Sequence, residues 1–366
     1  MKHSQKNLVP KVRDWLEAIG DRTGAFVVDT PGESRDVTGP WDEVLTIRPH
    51  GSSLPLRVVV ESRVRLHPQN ALAVAARIRL EPRPRGPQTV AVVAARYISD
   101  RVAAICREGG IGYVDDAGNC HLEAPGLYLH IEGQRNPTPD TRPAENLFAP
   151  KSSRIVRALL EYPARTWKVQ DLAREARVSI GLASRLKHKL ITEAFVETSP
   201  QGIRLRQPQQ LLDSWVNAYA NAARAVPAYS MDEPRTLERR VAEWCRQHGT
   251  RYALAEFSAA ARWSPMVRYT RPAIYLEEPR SGDVLRPLMR DLDLKEVDSG
   301  PSAVLWVTDD EAIFFNSAER DGVTVASPLQ TYLDLVKNPA RGQEAASELL
   351  QNQLLPRFAE AGVRSP

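Results

Sequence analysis

A proline-rich stretch divides this chain and limits how large any single folded part can be. The ten residues Gln134–Pro143 contain three prolines and show no apolar periodicity. Proline fixes φ and lacks a backbone N–H, so such a stretch interrupts helices and sheets and indicates a linker. A second break falls near Pro208. We therefore expect folded parts at residues 1–135, 151–206 and 207–366, with a linker over residues 136–150.

The composition is that of an ordinary globular protein. Apolar residues make up 42% and charged residues 26% of the 366 residues, which excludes a disordered chain. No stretch approaches the roughly 20 apolar residues that a membrane helix needs. Residues 1–20 lack the apolar core of a signal peptide. These features predict a cytoplasmic protein without membrane contact.

The positive charge is concentrated in residues 151–206, which we call the basic segment. It has 12 basic and 5 acidic side chains, against 19 and 18 in residues 1–150 and 18 and 22 in residues 207–366. A basic excess confined to one short segment is typical of a module that binds phosphates.

Hydrophobic periodicity predicts three helices and a β-hairpin in the basic segment. Helical spacing covers Ser152–Leu160, Val169–Ala176 and Ile180–Glu193. Residues 195–206 then predict two strands around Ser-Pro-Gln-Gly. This order is typical of a winged helix-turn-helix, although Arg177 stands at the turn position that glycine often occupies. A small helical domain used for protein contacts is the alternative.

The third predicted helix has two contrasting faces. Leu182, Leu186 and Leu190 recur at i, i+4 and i+8 and are expected to face inward. The opposite face and the hairpin offer hydrogen-bond donors and positive charge to bases and phosphates. Ser179 is also well placed to cap this helix. The predicted DNA-binding residues are Ser179, Ser184, Arg185, Lys187, His188, Lys189, Arg204 and Arg206.

The N-terminal third predicts a mixed α/β sheet with helices on its faces. Asp42 opens one predicted strand, and Glu61-Ser-Arg63 ends the next. Two carboxylates at neighbouring strand ends, followed by a cation, resemble the PD-(D/E)xK nucleases. In those enzymes the carboxylates hold Mg²⁺ and a lysine helps to activate water. Gln69 and Glu17 are candidate accessory residues.

The lysine position of that pattern holds Arg63. A guanidinium stays protonated, so it can bind phosphate or stabilise charge but cannot act as a base. Three interpretations remain open: a Mg²⁺-dependent DNA nuclease, a degenerate fold that contacts DNA or protein, and ordinary surface charges. The nuclease would use Asp42 and Glu61 as metal and catalytic residues, together with Arg63. We expect the degenerate fold, which requires no cofactor.

Residues 110–119 contain several glycines but lack the Gly-x-x-x-x-Gly-Lys-Ser/Thr pattern of a phosphate loop. Gly118-Asn119 predicts a tight turn, in which Asp115 or Asp116 hydrogen-bonds the local backbone.

Residues 207–366 predict a further α/β domain in which no nucleophile is paired with a plausible base. The predicted helices include Leu211–Ala225, Leu237–His248, Pro328–Val336 and Gly342–Leu355. The predicted strands include Met266–Tyr269, Ala273–Leu276, Ala303–Val307 and Glu311–Asn316.

Three passages together resemble a bacterial family. They are residues 112–119 (GYVDDAGN), the turn and helix start at residues 178–184 (VSIGLAS), and residues 327–335 (SPLQTYLDL) with 341–346 (RGQEAA). They are similar to AbiEi-like type IV antitoxins and transcriptional regulators that carry an added N-terminal restriction-endonuclease-like domain. The resemblance implies a winged helix that binds DNA, often the promoter of its own operon, and a C-terminal domain active in antitoxicity. It also implies a nucleotidyltransferase-like toxin as partner. The long N-terminal domain departs from the short antitoxins.

Taken together, the sequence predicts an α+β multidomain protein. It has an N-terminal mixed α/β endonuclease-like domain, a central winged helix-turn-helix and a C-terminal α/β domain. The predicted function is a DNA-binding transcriptional regulator that acts as an autoregulating antitoxin. The alternatives are a Mg²⁺-dependent nuclease targeted by the winged helix, and an antitoxin that acts by protein contact through residues 207–366. The expected partners are double-stranded DNA, the toxin and a second copy of the chain, since such regulators often read paired half-sites.

Overall fold

A computed structural model describes residues 9–29, 41–52, 54–80, 88–137, 146–264, 267–279, 282–339 and 341–360. Residues 138–145 of the predicted linker lie outside these ranges. The chain divides into two structural units. The first unit comprises Met1–Ala144 and Thr192–Ala194, and the second comprises Glu145–Ile191 and Phe195–Pro366.

The first unit contains a seven-stranded mixed sheet whose strands lie in chain order. Its described elements are α1 (Val9–Thr23), β1 (Phe26–Val28), β2 (Glu43–Pro49), β3 (Leu56–Arg63), α2 (Pro68–Leu80), β4 (Thr89–Ala95), α3 (Asp100–Glu108), β5 (Gly112–Asp115), β6 (Cys120–Ala124) and β7 (Leu127–Ile131). The pairs β3–β4 and β4–β5 are parallel, and the other neighbours are antiparallel. The prediction of a mixed sheet is confirmed.

Helices cover both faces of this sheet, which explains why its central strands are continuous apolar runs. On one face, α1 packs Val12, Leu16 and Ile19 against the strands. On the other face, α2 contributes Val74 and α3 contributes Val102 to a second core. Because parallel neighbours cannot be joined by a hairpin, α2 and α3 serve as the crossovers from β3 to β4 and from β4 to β5.

The second unit contains the basic segment, except for Thr192–Ala194, and continues to the end of the described chain. Its helices are α4 (Pro150–Glu161), α5 (Val169–Glu175), α6 (Ile180–Thr192), α7 (Pro208–Ala218), α8 (Pro234–His248), α9 (Glu256–Trp263), α10 (Leu285–Asp291), a 3₁₀ helix (Glu311–Phe314), α11 (Pro328–Val336), α12 (Gly342–Leu349), a π-helical segment (Leu350–Leu354) and α13 (Leu355–Glu360). Its strands are β8 (Val196–Ser199), β9 (Gly202–Leu205), β10 (Arg224–Tyr229), β11 (Tyr252–Leu254), β12 (Ala273–Glu277), β13 (Lys295–Glu296), β14 (Ala303–Thr308), β15 (Ala318–Arg320) and β16 (Val323–Val325).

A second seven-stranded sheet, with the order β13-β10-β14-β12-β11-β16-β15, organises the second unit. The pairs β12–β14 and β11–β16 are parallel, and the remaining neighbours are antiparallel. One apolar core runs from Ile155 and Leu159 in α4, through Leu186 in α6, to Leu305 in β14. The basic segment and residues 207–360 therefore bury their apolar side chains together.

Two elements predicted in residues 207–366 differ from the structure: one helix is too long, and one strand does not form. The predicted helix Leu211–Ala225 ends at Ala218, and strand β10 starts at Arg224. The Asn221 side chain accepts a hydrogen bond from the Ala223 N–H at 3.0 Å, which competes with a helical hydrogen bond at this point. Residues 267–269 of the predicted strand Met266–Tyr269 form no strand, and Met266 lies outside the described residues.

The predicted strand Glu311–Asn316 is also wrong. Residues Glu311–Phe314 form a 3₁₀ helix, capped by the Asp310 carboxylate, which accepts a hydrogen bond from the Ala312 N–H at 3.0 Å. Ala312, Ile313 and Phe314 are all buried, so burial here does not alternate as it would in a half-buried strand. The short strands β11, β15 and β16 were missed because each has only three residues.

No helix within the described ranges is long and apolar enough to cross a membrane.

Candidate nucleic-acid interface

The turn between α5 and α6 is set by the backbone conformation of Arg177. This residue has a φ of 50°, in the left-handed region that glycine favours. The Arg177 N–H donates to the Arg174 carbonyl at 3.1 Å, and the Val178 N–H donates to the Ala173 carbonyl at 2.9 Å. These bonds close the C-terminus of α5 in the way glycine-capped helices close. The arginine at the usual glycine position therefore keeps the turn, in a backbone conformation that is unfavourable for its side chain.

Helix α6 is fixed at its start by a cap and along one side by apolar packing. The Ser179 hydroxyl accepts a hydrogen bond from the Leu182 N–H at 3.2 Å, which confirms the predicted N-cap. Leu186 and Leu190 are fully buried, as predicted, together with Ala183. Leu182 is only half-buried and packs at the edge of the same core.

The predicted contact residues of α6 lie around its solvent-facing side. Ser184 and His188 are four residues apart, and Arg185 lies beside them on the same face. Arg185 and His188 are exposed, whereas Ser184 is half-buried. Lys187 and Lys189 are half-buried and lie on opposite flanks of that face, because successive residues are turned by about 100° along a helix. All five side chains thus lie within an arc of about 200° on the side of the helix opposite the buried residues.

Strands β8 and β9 form the predicted hairpin, and Trp167 pairs with β9 close to the turn between the two strands. The Trp167 N–H donates to the Ile203 carbonyl at 2.8 Å, and the Ile203 N–H donates back to the Trp167 carbonyl at 2.9 Å. Gly202 has a φ of 142°, and a Cβ there would lie 2.2 Å from the Trp167 carbonyl oxygen. Only glycine allows the two backbones to approach this closely.

The two predicted hairpin arginines have different surroundings. Arg204 is half-buried, and it lies directly across the hairpin from Glu197. A carboxylate opposite an arginine lowers the local positive potential. Arg206 is exposed, and its backbone N–H donates to the Phe195 carbonyl at 2.8 Å. Arg206 is therefore the better placed of the two to meet a phosphate.

Several basic side chains outside α6 form ion pairs within the second unit. The Arg177 guanidinium lies 2.6 Å from the Glu311 carboxylate, and the Arg154 guanidinium lies 3.0 Å from Asp310. Both carboxylates belong to the acidic cluster at residues 309–311. Sequence analysis missed these pairs because more than 130 residues separate the partners. The charge available to DNA is thus smaller than the sequence count indicates.

A buried polar network joins α4 to the Ser327–Leu335 passage of α11. The Arg157 Nη2 donates to Gln330 Oε1 at 2.7 Å, and the Gln330 Nε2 donates to Asp334 Oδ1 at 2.8 Å. Tyr219 and Tyr275 also donate their hydroxyls to Asp334 Oδ1, each at 2.8 Å. One of the passages that carries the family resemblance therefore positions the basic segment from the inside of the molecule.

The environment of Asp334 disfavours its charged form. Burial raises the pKa of its carboxyl from the ordinary value to about 7, although the hydrogen bonds from Tyr219, Tyr275 and Gln330 act in the opposite direction. The Asp334 Oδ2 atom has no hydrogen-bond partner within the described part of the chain. A carboxyl oxygen that accepts nothing is where a protonated carboxyl carries its hydrogen.

The first unit brings together Asp42, Glu61 and Arg63, which sequence analysis singled out. Asp42 Oδ2 accepts a hydrogen bond from the Ser62 N–H at 2.7 Å and lies 3.9 Å from Arg63 Nη1. Glu61 is 1% exposed, and its carboxylate is ion-paired with both Arg63 and Arg77. Two guanidinium groups therefore neutralise the one buried carboxylate of this site.

This arrangement does not fit a bound Mg²⁺. The cation would compete with two arginines for Glu61, and both guanidinium charges would repel it. Among the residues that the structure describes, no three His, Cys, Asp or Glu side chains are grouped to hold a metal ion. The two candidate accessory residues are exposed, Glu17 beside Arg13 at 3.5 Å and Gln69 at the start of α2.

The conspicuous Asp115–Asn119 turn has a structural role. Asp115 is buried, and its carboxylate accepts hydrogen bonds from the Ile98 N–H at 2.8 Å and the Asn119 N–H at 2.9 Å. The Asn119 side-chain amide donates to the same carboxylate at 2.8 Å. The prediction that Asp115 bonds the local backbone is confirmed.

Comparison with known proteins identifies one family. The model of the family described as transcriptional regulator, AbiEi antitoxin of type IV toxin–antitoxin systems, matches residues 204–355. The resemblance inferred from the sequence is thereby confirmed for this stretch, which runs from β9 to the start of α13 and includes Ser327–Leu335. No curated protein and no solved structure was found to match the chain.

Proposed function

We propose that this protein is a DNA-binding transcriptional regulator of the type IV antitoxin kind, which reads duplex DNA with α6 and the β8–β9 hairpin. One observation carries the proposal. Helix α6 buries Ala183, Leu186 and Leu190 while it turns Arg185 and His188 to solvent. A recognition helix needs this division, because one face must be held rigidly and the other must meet base edges. The family match at residues 204–355 supports the regulatory role.

In this proposal the residues divide into two roles. Ser184, Arg185 and His188 lie on the central face and meet base edges in the major groove, where arginine makes its bidentate contact with guanine. Lys187 and Lys189 lie on the flanks and meet the phosphates on either side of the groove. The hairpin residues Arg204 and Arg206 bind the backbone or enter the minor groove as a wing. The capped start of α6 at Ser179 supplies backbone N–H groups to a phosphate.

Fluorescence anisotropy tests this proposal directly. The full-length protein is titrated with a labelled duplex from upstream of its own gene and with a random duplex of equal length, each across a range of salt. A sequence-reading regulator binds the upstream duplex at least a hundredfold more tightly, a difference of about 2.7 kcal/mol. Equal, salt-sensitive affinity for both duplexes contradicts sequence reading and leaves only non-specific attraction to phosphates.

We further propose that residues 207–366 bind a nucleotidyltransferase-like toxin. The support is the family match alone, since the family is that of AbiEi antitoxins of type IV systems. The test is coexpression with the product of the neighbouring gene. Rescue of growth by the wild-type antitoxin supports the role, and unrelieved toxicity at matched expression contradicts it. Copurification of the two proteins then distinguishes direct contact from an antagonism without contact.

We also propose that the protein binds DNA as a homodimer. Two copies of α6 would then read half-sites spaced by one helical turn of about 34 Å. Light scattering with and without the upstream duplex measures the mass of the bound species. One chain per duplex contradicts the dimer.

For the first unit we propose a degenerate endonuclease-like fold without nuclease activity. Its order of helix, three strands, helix and strand agrees with that of the PD-(D/E)xK fold, and Arg63 and Arg77 neutralise Glu61. The alternative, a Mg²⁺-dependent DNA nuclease that uses Asp42 and Glu61, predicts cleavage of plasmid DNA in Mg²⁺ or Mn²⁺.

A further inference from the structure

A pocket of about 440 Å³ opens within the second unit, beside the turn that precedes α6. Its walls come from α4, from the end of α5 with the following turn, and from the 3₁₀ helix Glu311–Phe314. Pockets of this size are typical of small-molecule sites. The basic side chains that line it are Arg154, Arg157, Arg174, Arg177 and Arg251. The carboxylates of Glu175 and Glu311 offset part of that charge.

Arg157 is the observation that points to a ligand. Arg157 is only 3% exposed and lines the pocket. The Nη2 atom donates to Gln330, but Nε and Nη1 have no hydrogen-bond partner within the described ranges of the chain. The buried Glu161 carboxylate of the same helix interacts with the Arg157 charge, but it accepts a hydrogen bond from neither of these atoms. Leaving two buried guanidinium donor atoms without an acceptor is costly. The centre of the Trp215 ring lies 5.1 Å from the Arg157 guanidinium carbon. This ring contributes a cation–π contact but accepts none of these hydrogen bonds.

Two more arginines of the pocket are paired with carboxylates at its rim. Arg154 lies 3.0 Å from Asp310, and Arg177 lies 2.6 Å from Glu311. Both ion pairs are partly exposed, so each contributes little to stability. Another anion can therefore replace the carboxylate beside either arginine. A phosphate has three oxygens for bidentate contacts with arginine and therefore competes well with a single carboxylate.

Two aromatic residues line the pocket. Phe314 is buried, with its ring centre 5.6 Å from the Arg251 guanidinium carbon, whereas Phe315 is half-buried. A flat, π-bonded ligand can stack on a partly exposed ring such as that of Phe315. The pocket therefore combines a strongly basic end with an aromatic wall.

We propose that this pocket binds a nucleoside monophosphate, with the phosphate between Arg154, Arg157 and Arg177 and the base against Phe315. The inference concerns a ligand of the second unit and goes beyond the proposed reading of DNA. Because Arg177 is also the turn residue before α6, the ligand binds at the point that sets the start of that helix.

Isothermal titration calorimetry of the full-length protein tests the ligand class. The probes are AMP, GMP, adenosine and inorganic phosphate, without DNA. We expect at least one monophosphate to bind, phosphate alone to bind at least tenfold more weakly, and adenosine to give no heat. If inorganic phosphate binds as tightly as either nucleotide, or if adenosine binds as tightly as AMP, the proposed ligand class is wrong.

Three variants locate the binding. Arg154→Gln removes a phosphate contact and is expected to weaken nucleotide binding at least tenfold. Glu311→Gln removes the carboxylate that competes for Arg177 and is expected to tighten binding severalfold, a gain that misfolding does not produce. Arg239→Gln changes an exposed arginine of α8 outside the pocket and should leave affinity unchanged.

The outcomes are separable from those of the DNA experiments. If both the wild type and Glu311→Gln bind neither nucleotide at millimolar concentration, the pocket proposal is overturned while the DNA-binding proposal stands. If Arg154→Gln behaves like Arg239→Gln, the nucleotide binds elsewhere and the assignment to this pocket is wrong. If the protein binds the nucleotide but not DNA, the proposed function is contradicted and the pocket proposal stands.

Discussion

The Arg177 guanidinium lies 2.6 Å from the Glu311 carboxylate, so the turn before α6 is tied to the 3₁₀ helix of the C-terminal part. Arg177 has a left-handed backbone conformation at the same time. The guanidinium beside Glu311 holds the pKa of that carboxyl below its ordinary value, against the smaller opposing effect of burial. Arg177 thus sets the shape of the turn through its backbone and attaches the turn to the 3₁₀ helix through its side chain.

A double-mutant cycle on this pair should give a small coupling energy. The side chains of Arg177 and Glu311 are 68% and 37% exposed, and exposed pairs contribute about 0.2–1 kcal/mol. Urea unfolding of the wild type, Arg177→Gln, Glu311→Gln and the double variant measures it. The coupling should shrink at about 1 M salt, where charges are screened within about 3 Å. A salt-independent coupling above about 2 kcal/mol would mean that the pair is effectively buried.

Replacing Arg185 and Lys189 by alanine should weaken binding to the upstream duplex. Because Lys189 is assigned to a phosphate and Arg185 to a base edge, the slope of log K against log salt should fall by about 0.9, the contribution of one released counterion. Anisotropy titrations over salt measure both quantities. Arg239→Ala, an exposed arginine on α8, is the matched control. Unchanged affinity of the double variant at low salt would contradict the role of α6.

Gly202→Ala should destabilise the second unit, because the new methyl group would meet the Trp167 carbonyl oxygen at 2.2 Å. The φ of 142° adds strain for any residue with a Cβ, so we expect a loss of about 2–4 kcal/mol. Thermal and urea unfolding measure it.

Gly181→Ala is the matched control for that substitution. Its Cβ would meet only the Arg185 side chain at 3.8 Å, and Gly181 lies in the first turn of α6. Alanine there should stabilise the helix by up to about 1 kcal/mol. Equal losses in both variants would contradict the assigned close contact at Gly202.

Asp334→Asn should change how stability depends on pH. Burial raises the folded-state pKa of Asp334 to about 7. Between the ordinary carboxyl pKa and about 7, the folded state binds the extra proton, so the unfolding free energy falls as pH rises. The contribution is fully present below about pH 4 and is lost as the pH passes about 7, with a slope of at most about 1.4 kcal/mol per pH unit.

The asparagine variant stays neutral and retains the oxygen that accepts from Tyr219 and Tyr275. Its free energy of unfolding relative to the wild type should therefore rise by about 2 kcal/mol between pH 5 and pH 8. Urea unfolding at several pH values measures this difference. The two additional N–H donors of asparagine impose a cost that is the same at every pH, so the slope is diagnostic. A difference that does not vary with pH would mean that Asp334 is ionised throughout.

Glu61→Gln should destabilise the first unit by about 1–3 kcal/mol, because Arg63 and Arg77 lose a shared counter-charge at a carboxylate that is 1% exposed. Glu17→Gln, at an exposed i,i+4 pair with Arg13, should cost less than about 0.5 kcal/mol.

Plasmid DNA incubated with the wild type in Mg²⁺ or Mn²⁺ should stay intact. Metal-dependent cleavage that disappears in Glu61→Ala would establish the nuclease instead.

Local sequence signals predicted much of the fold. The bounds of α11, Pro328–Val336, agree with the sequence prediction to the residue. This helix has a clear apolar periodicity, and the Ser327 hydroxyl caps it. The 3₁₀ helix at Glu311 was misjudged because Ala312, Ile313 and Phe314 form an apolar run that fits a strand as well as a helix.

The candidate site was only partly predictable for a different reason. The cap at Ser179 and the buried Leu186 and Leu190 follow from spacing within one helix. The contacts of Arg157 with Gln330 and of Arg177 with Glu311 join residues far apart in the chain. No periodicity specifies which distant residues meet, so charge counting overestimated the cations available to DNA.

The shared core of the second unit has an evolutionary consequence. Ile155 and Leu159 of α4 pack in the same core as Leu305 of β14, and Arg157 is held by Gln330 from α11. A gene fusion with its joint after Arg206 would cut through this core and leave apolar surface on both fragments. The basic segment therefore cannot be exchanged between proteins as a cassette. Under the proposed function, new DNA specificity must come from substitutions on the outer face of α6, where no core contact is disturbed.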